Sequence, residues 1–296
     1  DSRHHSAPSR VQQPDYGAPM QYAHNDDGNP LPESRFKYIK WVVGKLLYYA
    51  HAIDNTMLHA LNNIATSKSN ATTTTIDAVQ YLLDYAYSNP NAVIKYSASD
   101  MILCLDSEAA YLVAPVASSC AGGYHWVGNR AHTQFNGPVH VLAKVIKNVM
   151  ASAMEAEIAA LYMNAQLAIE FRQILIDMGH PQPPTLMQTD SQSAHGLTKG
   201  TMKQKRSKAI DMRFHWLKDR ANNHNQIDIQ WAPGASNLGD YPTKHHLARH
   251  HCTARPVYLH IDGASPTTMQ GCAKMLSPLD RKSTRLNSSH TVISYA

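Results

Sequence analysis

The sequence predicts an α/β domain of about 150 residues that follows a small helical subdomain. Apolar side chains recur at helical spacing up to residue 91, whereas residues 92–246 alternate short strand-like runs with helical stretches. Of the 296 residues, 43% are hydrophobic and 17% are charged, so the chain can bury a sizeable core and is not a disordered polymer.

Three helices are expected in the first part of the chain. The first has an apolar stripe at i, i+3, i+4 and i+7, formed by Tyr38, Ile39, Val42, Val43, Leu46, Leu47 and Ala50. The second spans 55–66, and the third spans 75–87 and ends before Pro90, which marks a helix stop. Residues 1–33 are rich in Pro, Ser, His and Asn without apolar periodicity, and we interpret them as a linker.

The second part of the chain is expected to follow the order βββ-α-β-α-α-β-α. Short apolar runs bounded by turn residues predict four strands, at 92–96, 101–105, 123–127 and 139–145, and three of them run in series. Ser152 stands three residues before Glu155, a capping box that opens a long helix ending near Gly179. A strand at 185–189 comes next, and a helix follows Asp190. Another helix runs through Ile210 to Leu217, a strand spans 226–231, and the last helix begins at about Asn237.

Basic residues are concentrated in one segment. The chain carries 27 Lys and Arg against 22 Asp and Glu, a net charge of +5, and Lys199 to Arg220 alone contributes +6. Such a segment can follow a phosphate backbone, and the alternative is a solvated helix face. We expect phosphate contacts from six side chains, Lys199, Lys203, Lys205, Arg206, Lys208 and Arg213.

Several classes of protein are excluded or disfavoured. No apolar stretch reaches the ~18 uncharged residues that would span a bilayer, so a membrane protein is excluded. The four cysteines lie far apart without C-x-x-C spacing, which argues against a zinc ribbon or a secreted disulfide framework and fits a reducing intracellular compartment. A histidine metal site is disfavoured, because no Asp, Glu or Cys completes a ligand set with His245, His246, His250 and His251.

Five acidic residues stand at the edges of predicted elements, where a two-metal site would be built. Hydrolysis of a phosphodiester with two divalent ions needs several carboxylates, because one Asp cannot bridge ions about 4 Å apart. Hard oxygen ligands suit Mg²⁺. Each acid alone is typical of a surface charge or helix cap, so it is the set that points to a site. Its members are Asp106 and Glu108 on one strand face, Glu157 in the long helix, Asp190 after a strand, and Asp240 at the last helix.

Six segments carry a resemblance to a known family. They are LLYYAHAIDNTML (46–58), SDMILCLDSEAAYL (99–112), SAMEAEIAALYMNAQ (152–166), HPQPPTLMQTDSQSA (180–194), RSKAIDMRFHWLKD (206–219) and SNLGDYPTKHH (236–246). At these residues the chain resembles the ribonuclease H domain of a copia-type LTR retrotransposon Pol polyprotein. The resemblance implies a ribonuclease H-like five-stranded mixed sheet flanked by helices, which cuts the RNA strand of an RNA–DNA hybrid with two Mg²⁺ ions, or with Mn²⁺.

The resemblance also implies roles for single residues. It places the metal-holding catalytic acids on Glu157, Asp190 and Asp240. At the first position related elements read Ser-Asp-Ala, whereas this chain has Glu108 between Ser107 and Ala109, with Asp106 close by. Glu108 adds a methylene, and Asp106 lies a strand step of ~7 Å away, so both stay candidates for the first acid.

The resemblance divides the chain into five parts. After the linker at 1–33 come the C-terminal helical part of a reverse transcriptase (34–91), the ribonuclease H-like domain (92–246) and a C-terminal tail (247–279). Residues 280–296 resemble a translated sequencing adapter, and we treat them as an artefact outside the fold. The chain starts at Asp1 rather than Met, and we expect a fragment of a longer reading frame.

The implied partners are an RNA–DNA hybrid and the reverse transcriptase palm and fingers upstream in the same polyprotein, with no membrane. The implied location is intracellular, in a cytoplasmic virus-like particle or the nucleus. A polymerase activity is not expected, since the Tyr-x-Asp-Asp motif of polymerases is absent.

Two alternative functions stay open. One is a catalytically decayed domain that only binds duplex nucleic acid through the basic segment. The other is a transposase or integrase core, which shares the fold but usually has its essential Glu last in chain order, whereas Glu157 comes second here.

Overall fold

The computed structural model describes residues 4–11, 28–67, 70–114, 117–131, 135–200 and 208–260. The first part of the chain forms the three expected helices, α1 Glu33–Ala52, α2 Leu58–Ser67 and α3 Thr73–Ser88. A 3-10 turn, Asn55–Met57, joins α1 to α2, and the Asp54 side chain caps it by accepting from the Thr56 N–H at 3.2 Å. The apolar stripes of these helices meet in one core, so amphipathic spacing correctly predicted this subdomain.

Five strands form one mixed sheet. They are β1 Ile102–Ala114, β2 Ser118–Gly128, β3 Pro138–Ile146, β4 Thr185–Thr189 and β5 Ile227–Trp231. The spatial order is β3-β2-β1-β4-β5, in which β1, β2 and β3 are antiparallel neighbours while β4 runs parallel to β1 and β5 parallel to β4. The predicted fold class, a five-stranded mixed sheet with flanking helices behind a helical subdomain, is confirmed.

Among the described residues of this second part, four α-helices are present, α4 Ala153–Asp177, α5 Gln192–Thr198, α6 Lys208–Lys218 and α7 Ala248–Tyr258. Helix α4 begins where the capping pattern predicts, since the Ser152 hydroxyl accepts from the Glu155 N–H at 3.2 Å. It ends before Gly179, whose φ of +89° is a left-handed conformation that glycine adopts without strain. No helix in the described ranges is long and apolar enough to cross a membrane.

The two faces of the sheet pack against different helices. Leu103 and Leu105 of β1 contact the apolar side of α4 and α6, whereas Cys104 between them lies in the core of the helical subdomain. This alternation follows from the two-residue period of a strand. Both faces of β1 are therefore covered, and its polar residues have defined partners.

Three sequence predictions at the strands and the last helix were wrong. Residues 92–96 form no strand and make one isolated bridge, Val93 to His260. Strand β1 runs on to Ala114, since its outer half pairs with β2 as a hairpin, so Asp106 and Glu108 lie inside the strand rather than at its end. The last helix begins at Ala248 rather than near Asn237, because the chain first forms a loop and a 3-10 turn, Tyr241–Thr243.

Two segments predicted to lie outside the fold contact it. The tail predicted from residue 247 begins with α7, whose Arg255 forms a buried ion pair with Asp54 at 3.2 Å. In the predicted linker, His5 stacks on Tyr81 of α3 at 3.7 Å and Ala7 is buried. Neither segment has the apolar periodicity that identifies a core element, so the sequence alone did not reveal these contacts. Residues 261–296, which include the adapter-like segment, lie outside the described ranges.

Candidate metal centre

Three carboxylates meet at the end of the parallel strand pair. Glu108, Glu157 and Asp190 each offer one oxygen, and these oxygens all lie within 4.8 Å of one another. The register of β1 and β4 accounts for two of them, since Asp106 stands opposite Gln188 and the residues two further on are Glu108 and Asp190. Glu157 joins them from the second turn of α4, where its Oε1 accepts from the Ala109 N–H at 3.3 Å.

Asp240 lies beside this group in the loop between β5 and α7. Its Oδ1 lies 2.8 Å from the Lys244 Nζ, an ion pair within one turn of the chain. Its negative charge is felt by Glu108, Glu157 and Asp190, because it raises the pKa of each. The structure thus brings four of the five predicted acids to one place, with three in direct reach of a shared ion.

The electrostatics of the four acids differ. Burial raises the pKa of Glu108 well above its ordinary value, and the charges of Glu157 and Asp190 raise it further. Burial followed by the charge of Asp190 likewise raises the pKa of Glu157, and burial raises that of Asp190. For Asp240 burial acts in the same direction, but the Lys244 ammonium and His246 outweigh it, so its pKa is lowered. Three acids therefore repel one another in a confined space.

A divalent cation fits this donor set. All the oxygens are carboxylate oxygens, the ligands that Mg²⁺ and Mn²⁺ prefer. The Oε2 atom of Glu157 is buried without a hydrogen-bond partner among the described residues, which leaves it available to a cation. A bound cation would also offset the repulsion that raises the three pKa values. The residues present thus support a divalent metal site.

Asp106 is the one predicted acid that the structure does not bring into the group. It is 0% exposed, and its Oδ2 accepts from the Leu238 N–H at 2.9 Å. Glu108, in contrast, keeps 8% exposure and contacts the acids of the cluster. Of the two candidates for the first acid, Glu108 occupies the position beside Glu157 and Asp190.

Comparison with known proteins identifies one whose sequence is similar to that of the chain. No family model matches the chain. Over 177 residues, the chain is 27% identical to the retrovirus-related Pol polyprotein from transposon TNT 1-94 of Nicotiana tabacum. The chain is similar to a retrotransposon Pol polyprotein. The match covers 60% of the chain and 13% of that relative, so the chain spans a small part of the tobacco polyprotein. The predicted resemblance to a retrotransposon Pol polyprotein is confirmed.

The solved structures to which the chain is similar are remote in sequence and superposition. LC11-RNase H1 in complex with RNA/DNA hybrid has 14% identity and a TM-score of 0.36, covering 48% of this chain and 93% of that one. The N-terminal RNase H domain of a Mycobacterium tuberculosis protein has 14% identity and a TM-score of 0.33, covering 47% and 92%. The prototype foamy virus protease-reverse transcriptase has 16% identity and a TM-score of 0.31, covering 54% and 21%. The fold assignment rests on the strand order and register of the chain itself.

Two residues at the site were missed by sequence reasoning. Asn237 donates from Nδ2 to the Glu108 Oε2 at 2.9 Å and to the Ser107 carbonyl at 3.0 Å. Trp231 ends β5, donates from its indole to the Asp190 carbonyl at 3.0 Å and keeps 43% of its surface exposed. Asn237 stands in segment 236–246, which carries the Pol resemblance and could have pointed to a site residue. A single Trp at a strand end, such as Trp231, gives no such indication.

The predicted phosphate-binding side chains are only partly described. Lys199 forms an ion pair with Asp228 at 2.6 Å, and Arg213 is half-buried with its Nη1 at 3.9 Å from the Met150 sulfur. Lys203, Lys205 and Arg206 lie outside the described residues, as does the side chain of Lys208. The hybrid-binding surface stays a prediction, and the charge of Lys199 is partly offset within the protein.

The histidines near Asp240 make contacts within the protein. His245 is hydrogen-bonded to Ser9 and Asn63 at 2.6 Å each. His251 is hydrogen-bonded to Tyr85 at 2.8 Å and to Tyr241. Burial lowers the pKa of both, to about 4 for His245 and about 3 for His251. They join the loop carrying Asp240 to the helical subdomain and to α7.

Proposed function

We propose that the chain is the nuclease segment of a retrotransposon Pol polyprotein, which hydrolyses the RNA strand of an RNA–DNA hybrid with Mg²⁺. One observation carries the proposal: Glu108, Glu157 and Asp190 place carboxylate oxygens within 4.8 Å of one another, with Asp240 beside them. The similarity to a retrotransposon Pol polyprotein supports it, since reverse transcription leaves an RNA–DNA hybrid to be degraded.

The acids would act by holding cations against a substrate that they would otherwise repel. A pair of divalent ions, when bound, neutralises charge at the scissile phosphate and lowers the pKa of an attacking water. Asn237 fixes one oxygen of Glu108 by a 2.9 Å hydrogen bond. The Ala109 N–H fixes Oε1 of Glu157 in the same way. These contacts preorganise the ligands, so little reorganisation is needed on binding.

The architecture suggests how a hybrid would be recognised. The ring of Trp231 lies partly exposed next to Asp190 and offers a flat apolar surface at the rim of the site. Contacts of the 199–220 segment to phosphates would position a duplex without reading its sequence. Discrimination in favour of a hybrid would then come from groove shape and from the 2′-hydroxyls of its RNA strand.

Cleavage of a labelled hybrid by the purified chain tests the proposal. We expect Mg²⁺-dependent cutting of the RNA strand, with Mn²⁺ as an effective substitute. Glu157→Gln should reduce the rate at least about 100-fold, because even residues behind the ligands of a metal contribute 10–100-fold. Glu170→Gln, an exposed position on the same helix, is the matched control and should cut normally. Equal rates for the two variants would contradict the proposal.

A second candidate, a domain that binds duplex without cutting it, is favoured by one observation. Glu108 stands where the resemblance has Asp, and its side chain is one methylene longer. If this longer side chain has abolished catalysis, Glu108→Asp should restore cleavage to a chain that binds hybrid but does not cut it. If the natural chain cuts and Glu108→Asp changes the rate by less than a few-fold, the second candidate is excluded.

The surroundings of the chain are part of the same proposal. We propose that residues 34–91 are the C-terminal helical part of a reverse transcriptase, with its palm and fingers upstream in the polyprotein. The complex would then work inside the cell, in a cytoplasmic virus-like particle or the nucleus. Co-purification of the chain with an upstream palm and fingers fragment expressed separately tests this assignment.

A further inference from the structure

We propose that Asp106 is a positioning residue, whose buried carboxylate holds the loop carrying Asp240 at the metal centre. The proposal rests on the proposed function, because Asp240 is a candidate metal ligand within that function. It assigns the two acids of β1 separate roles: Glu108 faces the cation, and Asp106 fixes a neighbouring part of the chain.

The contact that carries the proposal joins two distant parts of the sequence. Asp106 lies in β1 between β2 and β4 and is 0% exposed. Its Oδ2 accepts from the backbone N–H of Leu238 at 2.9 Å, and Leu238 stands two residues before Asp240. A buried N–H that loses its acceptor costs the full desolvation penalty of that group. Asp106 is therefore suited to fixing the start of this loop.

Other hydrogen bonds also hold the loop that carries Asp240. The Tyr258 hydroxyl of α7 donates to the Leu238 carbonyl at 2.9 Å, and Asn237 donates to the Ser107 carbonyl at 3.0 Å. His59 of α2 is hydrogen-bonded to the Pro242 carbonyl at 3.1 Å. The Asp106 contact joins the strand of Glu108 directly to the loop of Asp240.

Burial and direction argue against Asp106 as a ligand of the proposed ions. Residues two apart on a strand share a face but lie about 7 Å from each other. Glu108 already meets Glu157 and Asp190, whereas the Asp106 carboxylate is turned to Leu238 and fully covered. Asp106 is therefore placed to hold the loop rather than to share an ion with Glu108, Glu157 and Asp190.

Variants of the full chain separate a positioning role from a ligand role. Asp106→Asn keeps a carbonyl oxygen that accepts from Leu238, while Asp106→Ser is too short to reach it. Glu108→Gln represents loss of a ligand, and Asp177→Asn, exposed at the end of α4, is the surface control. Mn²⁺ affinity, measured by electron paramagnetic resonance, and hydrogen exchange of residues 237–243 are the two readouts.

We expect Asp106→Asn to keep the Mn²⁺ affinity within about twofold, whereas Asp106→Ser weakens it about tenfold, because the buried Leu238 N–H loses its acceptor. In an Asp240→Asn background, Asp106→Ser should have less than about a twofold effect, because the two residues act through one another. A loss of affinity in Asp106→Asn as large as in Glu108→Gln would overturn the proposal. An unchanged effect of Asp106→Ser in the Asp240→Asn background would do the same.

Hydrogen exchange distinguishes failure of this proposal from failure of the proposed function. The Leu238 amide should exchange at least about tenfold faster in Asp106→Ser and near the natural rate in Asp106→Asn. If the natural chain binds no Mn²⁺, the proposed function fails, but the exchange measurement still decides the anchoring role. Equal exchange at Leu238 in the natural chain and in Asp106→Ser would exclude that role.

Discussion

Glycines 122 and 123 show how single residues set the geometry of the metal centre. A side chain at Gly122, opposite Glu108 in β2, would collide with the Gly239 carbonyl and Thr243. A side chain at Gly123 would collide with the amide of Asn164 on the other face. Two adjacent glycines thus let the loop of Asp240 and helix α4 approach the sheet from opposite sides.

Gly122→Ala should displace the loop of Asp240 without unfolding the sheet. The added methyl would collide with the Gly239 carbonyl, which is backbone, as well as with Thr243, so the loop must shift. We expect at least a tenfold loss of hybrid cleavage, as a misplacement near 1 Å can cost about 100-fold. Gly44→Ala in α1 is the matched control, since its new methyl meets open space and should stabilise by ~1 kcal/mol. Normal cleavage by Gly122→Ala would contradict the account of the loop.

Asn164 is the polar centre of the α4–sheet interface. It is 0% exposed and donates to the Gly122 carbonyl at 2.9 Å and to the Ser107 hydroxyl at 3.0 Å. Its Oδ1 lies 2.9 Å from the buried His125 ring. Asn164→Leu would leave these groups without their partner, and we expect a loss of about 2–4 kcal/mol in unfolding free energy. Urea denaturation measures it, and a loss below about 1 kcal/mol would show that the pocket rearranges.

Helix α4, which carries Glu157 in its second turn, depends on the capping of its first turn. The Ser152 hydroxyl accepts from the Glu155 N–H, and the Glu155 Oε2 accepts from the Ala151 N–H at 2.7 Å. Ser152→Ala should cost ~1 kcal/mol of unfolding free energy because one helical N–H loses its acceptor. Urea denaturation compares it with Ser34→Ala, an exposed position in the first turn of α1. Equal stability of the two variants would show that the cap contributes nothing.

The basic segment from Lys199 to Arg220 leads us to predict that hybrid binding depends on the salt concentration. If its charges neutralise phosphates, hybrid binding should weaken steeply with salt, and each lost contact should lower the log–log slope by roughly 0.7–0.9. Replacing Lys203, Lys205 and Arg206 by Gln should therefore flatten the slope, while Lys199→Gln changes it less, because Asp228 already pairs with that lysine. A slope near zero in the natural chain would make the segment a solvated face.

The elements that the sequence predicted well are those with a local signal. Helix α4 has a cap, an apolar stripe and a terminal glycine, and strand β4 is bounded by prolines and by Asp190, so both were placed nearly to the residue. The acids Glu157, Asp190 and Asp240 were identified through the family resemblance, and the structure brings them to one site. Whether Glu108 or Asp106 joins them depends on the register of β1 against β4, a long-range property that no local pattern contains.

The helical subdomain and the sheet domain share one continuous core and a buried polar network. Ile39, Leu61 and Leu82 of the subdomain belong to the same cluster as Tyr124 and Trp126 of β2. At its border, Arg255 of α7 pairs with Asp54 at 3.2 Å, and His251 is hydrogen-bonded to Tyr85. The last helix therefore closes the molecule onto its first helices, and we expect one cooperative unfolding transition.

Buried histidines make this fold sensitive to acid. Burial lowers the pKa of five of them to about 3 or 4: His125, His140, His245, His246 and His251. Because the unfolded chain binds these protons near pH 6.5, stability is fully present above that pH and is lost as the pH falls toward 4. Each histidine that titrates fully contributes about 1.4 kcal/mol per pH unit. Urea denaturation between pH 7.5 and 4.5 should show this decline.

As the pH falls, the carboxylate cluster raises the stability of the fold, whereas the buried histidines lower it. A variant of the cluster therefore serves as a control for the predicted loss of stability in acid. The pKa values of Glu108, Glu157 and Asp190 are raised, so protonation of these acids relieves repulsion in the folded state as the pH falls. Five histidines outweigh three acids, and the net effect of acid should be destabilising. Glu108→Gln removes part of the opposing contribution, so its stability should start higher at pH 7.5 and fall more steeply than that of the natural chain. A flat profile in both proteins would mean that the histidines are protonated without unfolding, and that their burial imposes no penalty.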